Sequence, residues 1–239
     1  MAESSLSPGL LAGRQVVVTG GTGGLGRAVV ARLLAAGATC HVPSHRTAAE
    51  GPAQPRLHVT PGIDLTDEAA VARFYGGIGD LWASVHLAGG FAMAPIGEAG
   101  AGDLRHMLEM NLLTTFLCAH EAVKAMRRRG GDEGGRIVNV AARPALEPRR
   151  GARMAAYAAS KAGVAALTGA LAEELKGERI LVNAIAPSTI DTEANRKAMP
   201  QADPGKWLAP EAAAEAVLML VSPRESGISG AVLPLYARS

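Results

Sequence analysis

Cysteine is scarce in this chain: among 239 residues only Cys40 and Cys118 carry a thiol. They fall in a predicted strand and a predicted helix with no metal-ligand spacing around them. That excludes a disulfide framework and a zinc site, and both read as reduced core residues. Aromatic residues are also few. Two Trp, three Tyr and three Phe are too few for a base-stacking surface. No apolar run reaches the roughly 20 residues of a membrane-spanning helix. Met1-Ala-Glu-Ser-Ser5 lacks the basic start and apolar stretch of a secretory leader. Excess charge of one sign is missing as well, since 24 Lys and Arg stand against 22 Asp and Glu. The one basic run, Arg127-Arg-Arg129, falls where a long helix should end and complements the negative end of that helix dipole. These absences argue against nucleic-acid and membrane partners. A cytoplasmic protein acting on a small molecule is the expectation that remains.

What the chain does contain is apolar surface and glycine: 48% of residues are hydrophobic and 29 are Gly. Strand signals near 14–19, 38–43, 56–60, 81–88, 135–140, 179–185 and 230–235 alternate with helix signals near 24–36, 66–76, 101–129, 154–176 and 210–221. Such alternation predicts an α/β fold, a doubly wound parallel sheet of about seven strands with helices on both faces. Residues 1–239 then form a single domain, large but ordinary for this class. Leu104, Leu108, Leu112, Phe116 and Ala119 recur at helical spacing, as an intramolecular core stripe or as part of a subunit interface. Residues 43–56, with Pro43, Gly51, Pro52 and Pro55, read as the loosest segment.

Two motifs carry chemistry. Thr19-Gly-Gly-Thr-Gly-Gly-Leu-Gly26 follows the apolar run Gln15–Thr19 and precedes a helical segment ending at Gly37. Strand, glycine loop and helix is the context for a dinucleotide pyrophosphate, which sits on the unpaired N–H groups of the helix start. Gly20, Gly24 and Gly26 are the informative glycines, with Thr22, Gly23 and Leu25 between them. Far downstream, Tyr157 and Lys161 lie four residues apart, hence on one helix face. They are either a solvated face or a catalytic pair. In the second case the ammonium should lower the phenol pKa and tune Tyr157 as a proton donor.

Both motifs in this order resemble the short-chain dehydrogenase/reductase family, from about Gly13 to Tyr236. Asp64-Leu65 stands where that family has an adenine-contacting Asp. His86-Leu87-Ala88-Gly89 stands where it usually reads N-N-A-G. Asn111 and Asn183-Ala-Ile-Ala-Pro187 fit further landmarks. The resemblance implies a Rossmann-type fold, a nicotinamide cofactor and catalytic Tyr157, Lys161 and Asn111. It also implies cofactor contacts from Leu87, Ala88, Gly89, Tyr157, Lys161, Pro187, Ile190 and Thr192. Pairing into a homodimer or homotetramer through the 101–129 helix and the helix carrying Tyr157 is implied too.

Cofactor choice turns on the end of the second strand, where Ser44, His45 and Arg46 stand without an acid. Arg46 could grip a 2′-phosphate, so NADP is expected, with NAD as the other possibility. The family's usual catalytic Ser falls on Ala142, which has no donor. Arg143, Arg149, Arg150 and Arg153 follow, as a solvated loop or as receptors of an anionic substrate. Ile190–Asp203 followed by Trp207 looks like the lid of dihydropteridine reductase and its relatives, which places a small lid around 188–209. That likeness implies reduction of a conjugated carbonyl or imine, quinonoid pterin-like or ketone. A catalytically silent NAD(P)-binding scaffold or redox-sensing module is the alternative.

Overall fold

A computed structural model describes residues 9–46, 54–130, 133–224 and 227–238. The opening five residues, and Gly51 and Pro52 of the segment read as loosest, lie outside these. Seven strands form one parallel sheet: β1 (Gln15–Thr19), β2 (Thr39–Pro43), β3 (Leu57–Thr60), β4 (Leu81–His86), β5 (Gly135–Val140), β6 (Ile180–Pro187) and β7 (Val232–Leu235). Their order is β3-β2-β1-β4-β5-β6-β7, and every pairing is parallel. This is the expected Rossmann-type α/β sheet.

The helices are α1 (Gly24–Ala35), α2 (Glu68–Gly76), α3 (Ala101–Met107), α4 (Thr114–Arg129), α5 (Arg143–Leu146), α6 (Ala155–Leu175), α7 (Glu193–Ala198) and α8 (Pro210–Val221). Short α5 and α7 went unforeseen, because four and six residues are too short to show a helical period. Side chains alternate across a strand, so neighbouring residues of β1 enter different cores. Val16 and Val18 join Val29, Leu33, Ala214 and Val217 of α1 and α8. Val17 joins Val71, Phe74, Leu117 and Cys118 of α2 and α4 on the other face. Cys40 and Cys118 are both buried, and burial pushes each thiol up to about 12.

One expectation needs correction. The 101–129 helix is interrupted by a π-helical turn, Leu108–Leu113. Thr114 and Thr115 donate their hydroxyls to the carbonyls of Met110 and Asn111 at 2.8 and 2.6 Å, a competing bond that disturbs the regular helical ladder. Of the stripe expected as core or as subunit interface, Leu104 and Phe116 are exposed, Leu108 and Leu112 half-buried and Ala119 buried, so its outer members do not belong to the intramolecular core. The turn carries Met107, Asn111, Leu117 and Cys118 inward instead.

A buried polar chain ties the α2, α4 and α6 face together. Tyr75 Oη meets Ser84 Oγ, which meets His86 Nε2, while His86 Nδ1 meets Asn139 Oδ1, all at 2.8 Å. Asn139 Nδ2 donates to Thr168 Oγ1 at 2.9 Å, and Thr168 donates to Val164 O at 2.8 Å. The last link fixes every earlier proton. Asn139 must present its oxygen to His86, so the neutral ring carries its proton on Nδ1 and accepts at Nε2.

Burial pushes the His86 pKa down to about 4. The unfolded ring titrates near 6.5, so between those values the unfolded chain binds a proton that the folded chain refuses. This stabilisation is whole above pH about 6.5 and is lost as pH falls towards about 4, amounting to roughly 3 kcal/mol. Urea unfolding at pH 7 and pH 4.5 should therefore show a smaller acid-induced loss for His86→Asn than for wild type. Equal losses in both proteins would rule out this linkage.

Candidate active site

The chain leaves β1 towards β2 and β3 on one side, while β4 and the later strands build the other. The C-terminal ends of β1 and β4 thus flank the crevice where such sheets bind ligands. Gly20 turns here with φ +67°, a left-handed conformation that glycine adopts without strain. A methyl on Gly20 would stand 2.7 Å from Ala88 N, and one on Gly26 would stand 2.0 Å from Gly20 O. Ala88 N donates to Thr19 Oγ1 at 3.1 Å, and Leu87 N to Thr19 O at 3.2 Å. Leu87 and Ala88 are thereby stitched to Thr19, where the glycine loop begins. A methyl on Gly24 would stand 2.7 Å from Thr192 Cγ2, so the segment after β6 reaches the same loop. No side chain caps α1 at Gly23, and no acid lies in its first turn. Thr22, Gly23 and Gly24 are exposed and Leu25 half-buried. Bare amides at a positive helix end can receive a pyrophosphate.

Ser44, buried, follows β2 directly. Its Oγ accepts from Arg46 N at 3.3 Å, and its carbonyl accepts from Ile63 N at 2.9 Å. Asp64 Oδ1 accepts from Thr66 N at 2.8 Å and from Thr66 Oγ1 at 2.7 Å. These bonds hold its carboxyl below the usual carboxylate range, with a smaller pull from nearby His45. Ser44, His45, Arg46 and Asp64 therefore share one end of the crevice, and Leu65 packs beneath against the core. The 44–46 turn carries no carboxylate.

Asn111 is fully buried on the π turn, where its amide is saturated. Oδ1 accepts from Gly90 N at 3.0 Å, and Nδ2 donates to Gly90 O and Ser160 Oγ, both at 3.1 Å. Ser160 in turn donates to Tyr157 O at 2.8 Å. Lys161, also buried, donates from Nζ to Val140 O at 2.8 Å. A methyl on Gly89 would stand 2.5 Å from Asn111 Oδ1 and 3.4 Å from Lys161 Nζ. Gly89, Asn111, Ser160 and Lys161 are thus gathered around the first turns of α6. Among the described residues nothing hydrogen-bonds the Tyr157 hydroxyl.

The expected charge effect is corrected in sign. Burial pushes the Tyr157 phenol up to about 12 and the Lys161 amine down to about 8. Desolvation penalises the charged form of each group, and the ammonium is directed at a carbonyl, so its attraction does not offset that penalty.

Ala142 is buried two residues beyond β5 and offers only a methyl. Arg143 Nε pairs with Glu147 at 3.0 Å, its guanidinium lies 4.5 Å over the Tyr236 ring, and Arg150 reaches Glu147 at 3.7 Å. Arg149 and Arg153 are exposed. The first two thus have an acid at hand, which favours the structural reading of that basic loop. Pro187 ends β6 buried, Ile190 bridges to Leu208, and Thr192 caps α7 by accepting from Asn195 N at 3.2 Å. Sequence reasoning missed Phe91, whose ring meets Tyr157 edge-on at 5.0 Å and 78°. Its one signal was an aromatic directly after Ala88-Gly-Gly90 in an aromatic-poor chain.

Fold and crevice define a dinucleotide-binding α/β protein. The model of the short chain dehydrogenase family matches residues 14–203, and the chain belongs to that family of NAD(P)-dependent oxidoreductases. It is 34% identical over 197 residues to a 2-dehydro-3-deoxy-L-rhamnonate dehydrogenase (NAD(+)) of Sphingomonas sp. (strain SKA58), covering 79% of this chain and 76% of that protein. It is 32% identical to the 3-oxoacyl-[acyl-carrier-protein] reductase MabA of Mycobacterium bovis, covering 93% and 91%. A solved short-chain type dehydrogenase/reductase from Mycobacterium ulcerans superposes with TM-score 0.83 at 25% identity, covering 95% and 90%.

Gly20 and Gly130 share φ +67°, but a methyl on Gly130 would meet nothing within 4 Å. Both positions have a positive φ that strains an L side chain, so each alanine variant carries a backbone cost. Only Gly20→Ala should also weaken NADPH binding, at least tenfold by fluorescence titration, through its collision with Ala88. A folded Gly20→Ala protein that binds like Gly130→Ala would remove the glycine loop from the cofactor site.

Proposed function

We propose that this protein is an NADPH-preferring reductase that delivers hydride to a small conjugated carbonyl or imine, with Tyr157 as proton donor. The observation that carries the reading is that, among the described residues, nothing hydrogen-bonds the hydroxyl of Tyr157, which shares helix α6 with the anchored Lys161. A bound nicotinamide supplies the hydride and its electron pair, leaving oxidised. Tyr157 gives its hydroxyl proton to the acceptor oxygen or nitrogen, so one hydride and one proton add across the double bond. A phenol pushed up to about 12 keeps its proton throughout the neutral range, the state a donor requires. Lys161, at about 8, is still mostly cationic at pH 7 and opposes the negative charge left on the phenolate.

The acceptor class rests on Ala142 and on the likeness of the Ile190–Trp207 segment to dihydropteridine reductase. Without a second donor an isolated carbonyl is poorly polarised, whereas a conjugated system spreads the incoming charge itself. Residues 188–209 serve as the lid, and Pro187, Ile190 and Thr192 as its cofactor-facing side. Leu87, Ala88 and Gly89 line the nicotinamide side, while Asp64 and Leu65 flank the adenine. NADP preference rests on this chain's own Ser44, His45 and Arg46, since the rhamnonate relative is an NAD(+) dehydrogenase. Exposed Leu104, Leu113 and Phe116, together with α6, supply the contacts of a homodimer or homotetramer. A cytoplasmic site of action fits this reading, and no helix among the described residues is long and apolar enough to cross a membrane.

Tyr157→Phe should lower turnover about 10²–10⁴-fold with the NADPH dissociation constant within twofold of wild type. Undiminished reduction in the Phe variant would place the acid elsewhere. A wild-type protein that binds NADPH yet reduces no ketone, quinone or quinonoid pterin would favour the silent scaffold.

Arg46→Ala should weaken NADPH about tenfold to a hundredfold, from roughly 1.5–3 kcal/mol for a charge-assisted phosphate contact, and NADH far less. Equal, small effects on both nucleotides would end the NADP assignment.

A further inference from the structure

Phe91 leaves a stretch of backbone that is fixed on two sides. The Asn111 amide pairs with both the N–H and the C=O of Gly90, at 3.0 and 3.1 Å. A methyl on Gly90 would stand 2.7 Å from Met110 Cε, so this backbone lies packed onto the π turn. The side chain that follows is therefore aimed by the scaffold. Its ring meets that of Tyr157 edge-on, with centroids 5.0 Å apart and planes at 78°. Even so, Phe91 is 60% exposed. A large apolar ring held bare in water beside the proton donor is unfavourable for the free protein, since the hydrophobic effect drives such surface out of water. It becomes favourable once something flat covers it. Ala142, two residues beyond the Val140 carbonyl that holds Lys161, presents only a methyl.

We infer that Phe91 is a specificity-determining residue, the platform on which a planar unsaturated acceptor ring stacks while its oxygen or nitrogen reaches the Tyr157 hydroxyl. The inference rests on the reductase reading above. A flat conjugated ring would cover the exposed part of Phe91 and gain an offset-stacked contact. An acyclic aliphatic ketone gains neither. The edge-on contact with Tyr157 uses the perimeter of one ring and the face of the other, so part of the aromatic pair stays open to a third ring. Asn111 acts here through Gly90 as a positioning residue.

The test is the ratio of kcat/KM for 1,4-naphthoquinone to kcat/KM for butane-2,3-dione, with NADPH, in wild type and in Phe91→Ala, Phe91→Leu and Phe91→Tyr. The ratio should fall about tenfold in the Ala and Leu variants, through KM for the quinone, and stay within twofold of wild type in the Tyr variant. Leucine retains apolar bulk and tyrosine retains the ring, so this pattern isolates stacking from mere volume. A ratio unmoved in Phe91→Ala, or preserved by Leu as well as by Tyr, overturns the inference while leaving the reductase reading in place. A wild-type protein that binds NADPH but reduces neither acceptor, with NADPH or NADH, overturns both.

Discussion

At the C-terminal end of β1 the backbone of Gly20 runs so close to that of Ala88 that no side chain fits between them. This approach exists because β1 and β4 are sheet neighbours although two strands and two helices separate them in sequence. The divergence of the chain at that point opens a crevice, and the left-handed turn at Gly20 directs the loop into it before α1 begins. Thr19 then fastens Ala88 through its hydroxyl, so the mouth of β4 moves with the loop. Gly26 lets α1 start directly beneath, and Thr192 closes against Gly24. The amides at the start of α1, the strip after β4 and the segment after β6 are thereby registered against one another by contacts a few ångströms long.

The second registration is made by one amide. A buried Asn costs free energy unless its donors and acceptor are all used, and Asn111 meets that condition with Gly90 and Ser160 alone. Because those partners belong to the strip after β4 and to α6, satisfying the amide also sets the distance between them. The π turn supplies the inward reach that a regular helix would withhold, and its local disruption is supported by the hydroxyls of Thr114 and Thr115. Phe91 and Tyr157 meet as a consequence, each carried by an element that Asn111 touches.

Much of this was legible in the residues. Alternating apolar strands and helices led to the seven-stranded sheet because central strands such as β1, β4, β5 and β6 are buried on both faces and read as nearly continuous apolar runs. The glycine loop was legible because its steric demand is local. The π turn was not, since its cause lies in hydroxyl bonds that the 3.6-residue period does not encode. The Leu104–Phe116 stripe left two readings open for a related reason: helical spacing shows that residues share a face, not which face is inside. Phe91 was missed because its importance comes from contact with a residue on another helix, across a loop without periodicity. The geometry brings Tyr157, Lys161 and Asn111 into one neighbourhood, as the motifs implied, but the electrostatic relation between the first two could not be read from their spacing.

That relation has a consequence for the chemistry. Spacing alone suggested a phenol depressed by its neighbour's charge, which at neutral pH would leave part of the tyrosine already deprotonated. Burial instead drives the two groups in opposite directions, Tyr157 up to about 12 and Lys161 down to about 8. In the reductase proposed above, the phenol holds its proton until the acceptor takes it, and the amine is still charged when negative charge appears on the phenolate oxygen. Because both groups sit in low dielectric, the attraction between newly formed phenolate and ammonium is stronger than the same pair would feel in water. In the resting site that attraction does not offset desolvation, so in the proposed reductase the ion pair forms only as the acceptor takes the proton, and until then Tyr157 stays a neutral donor.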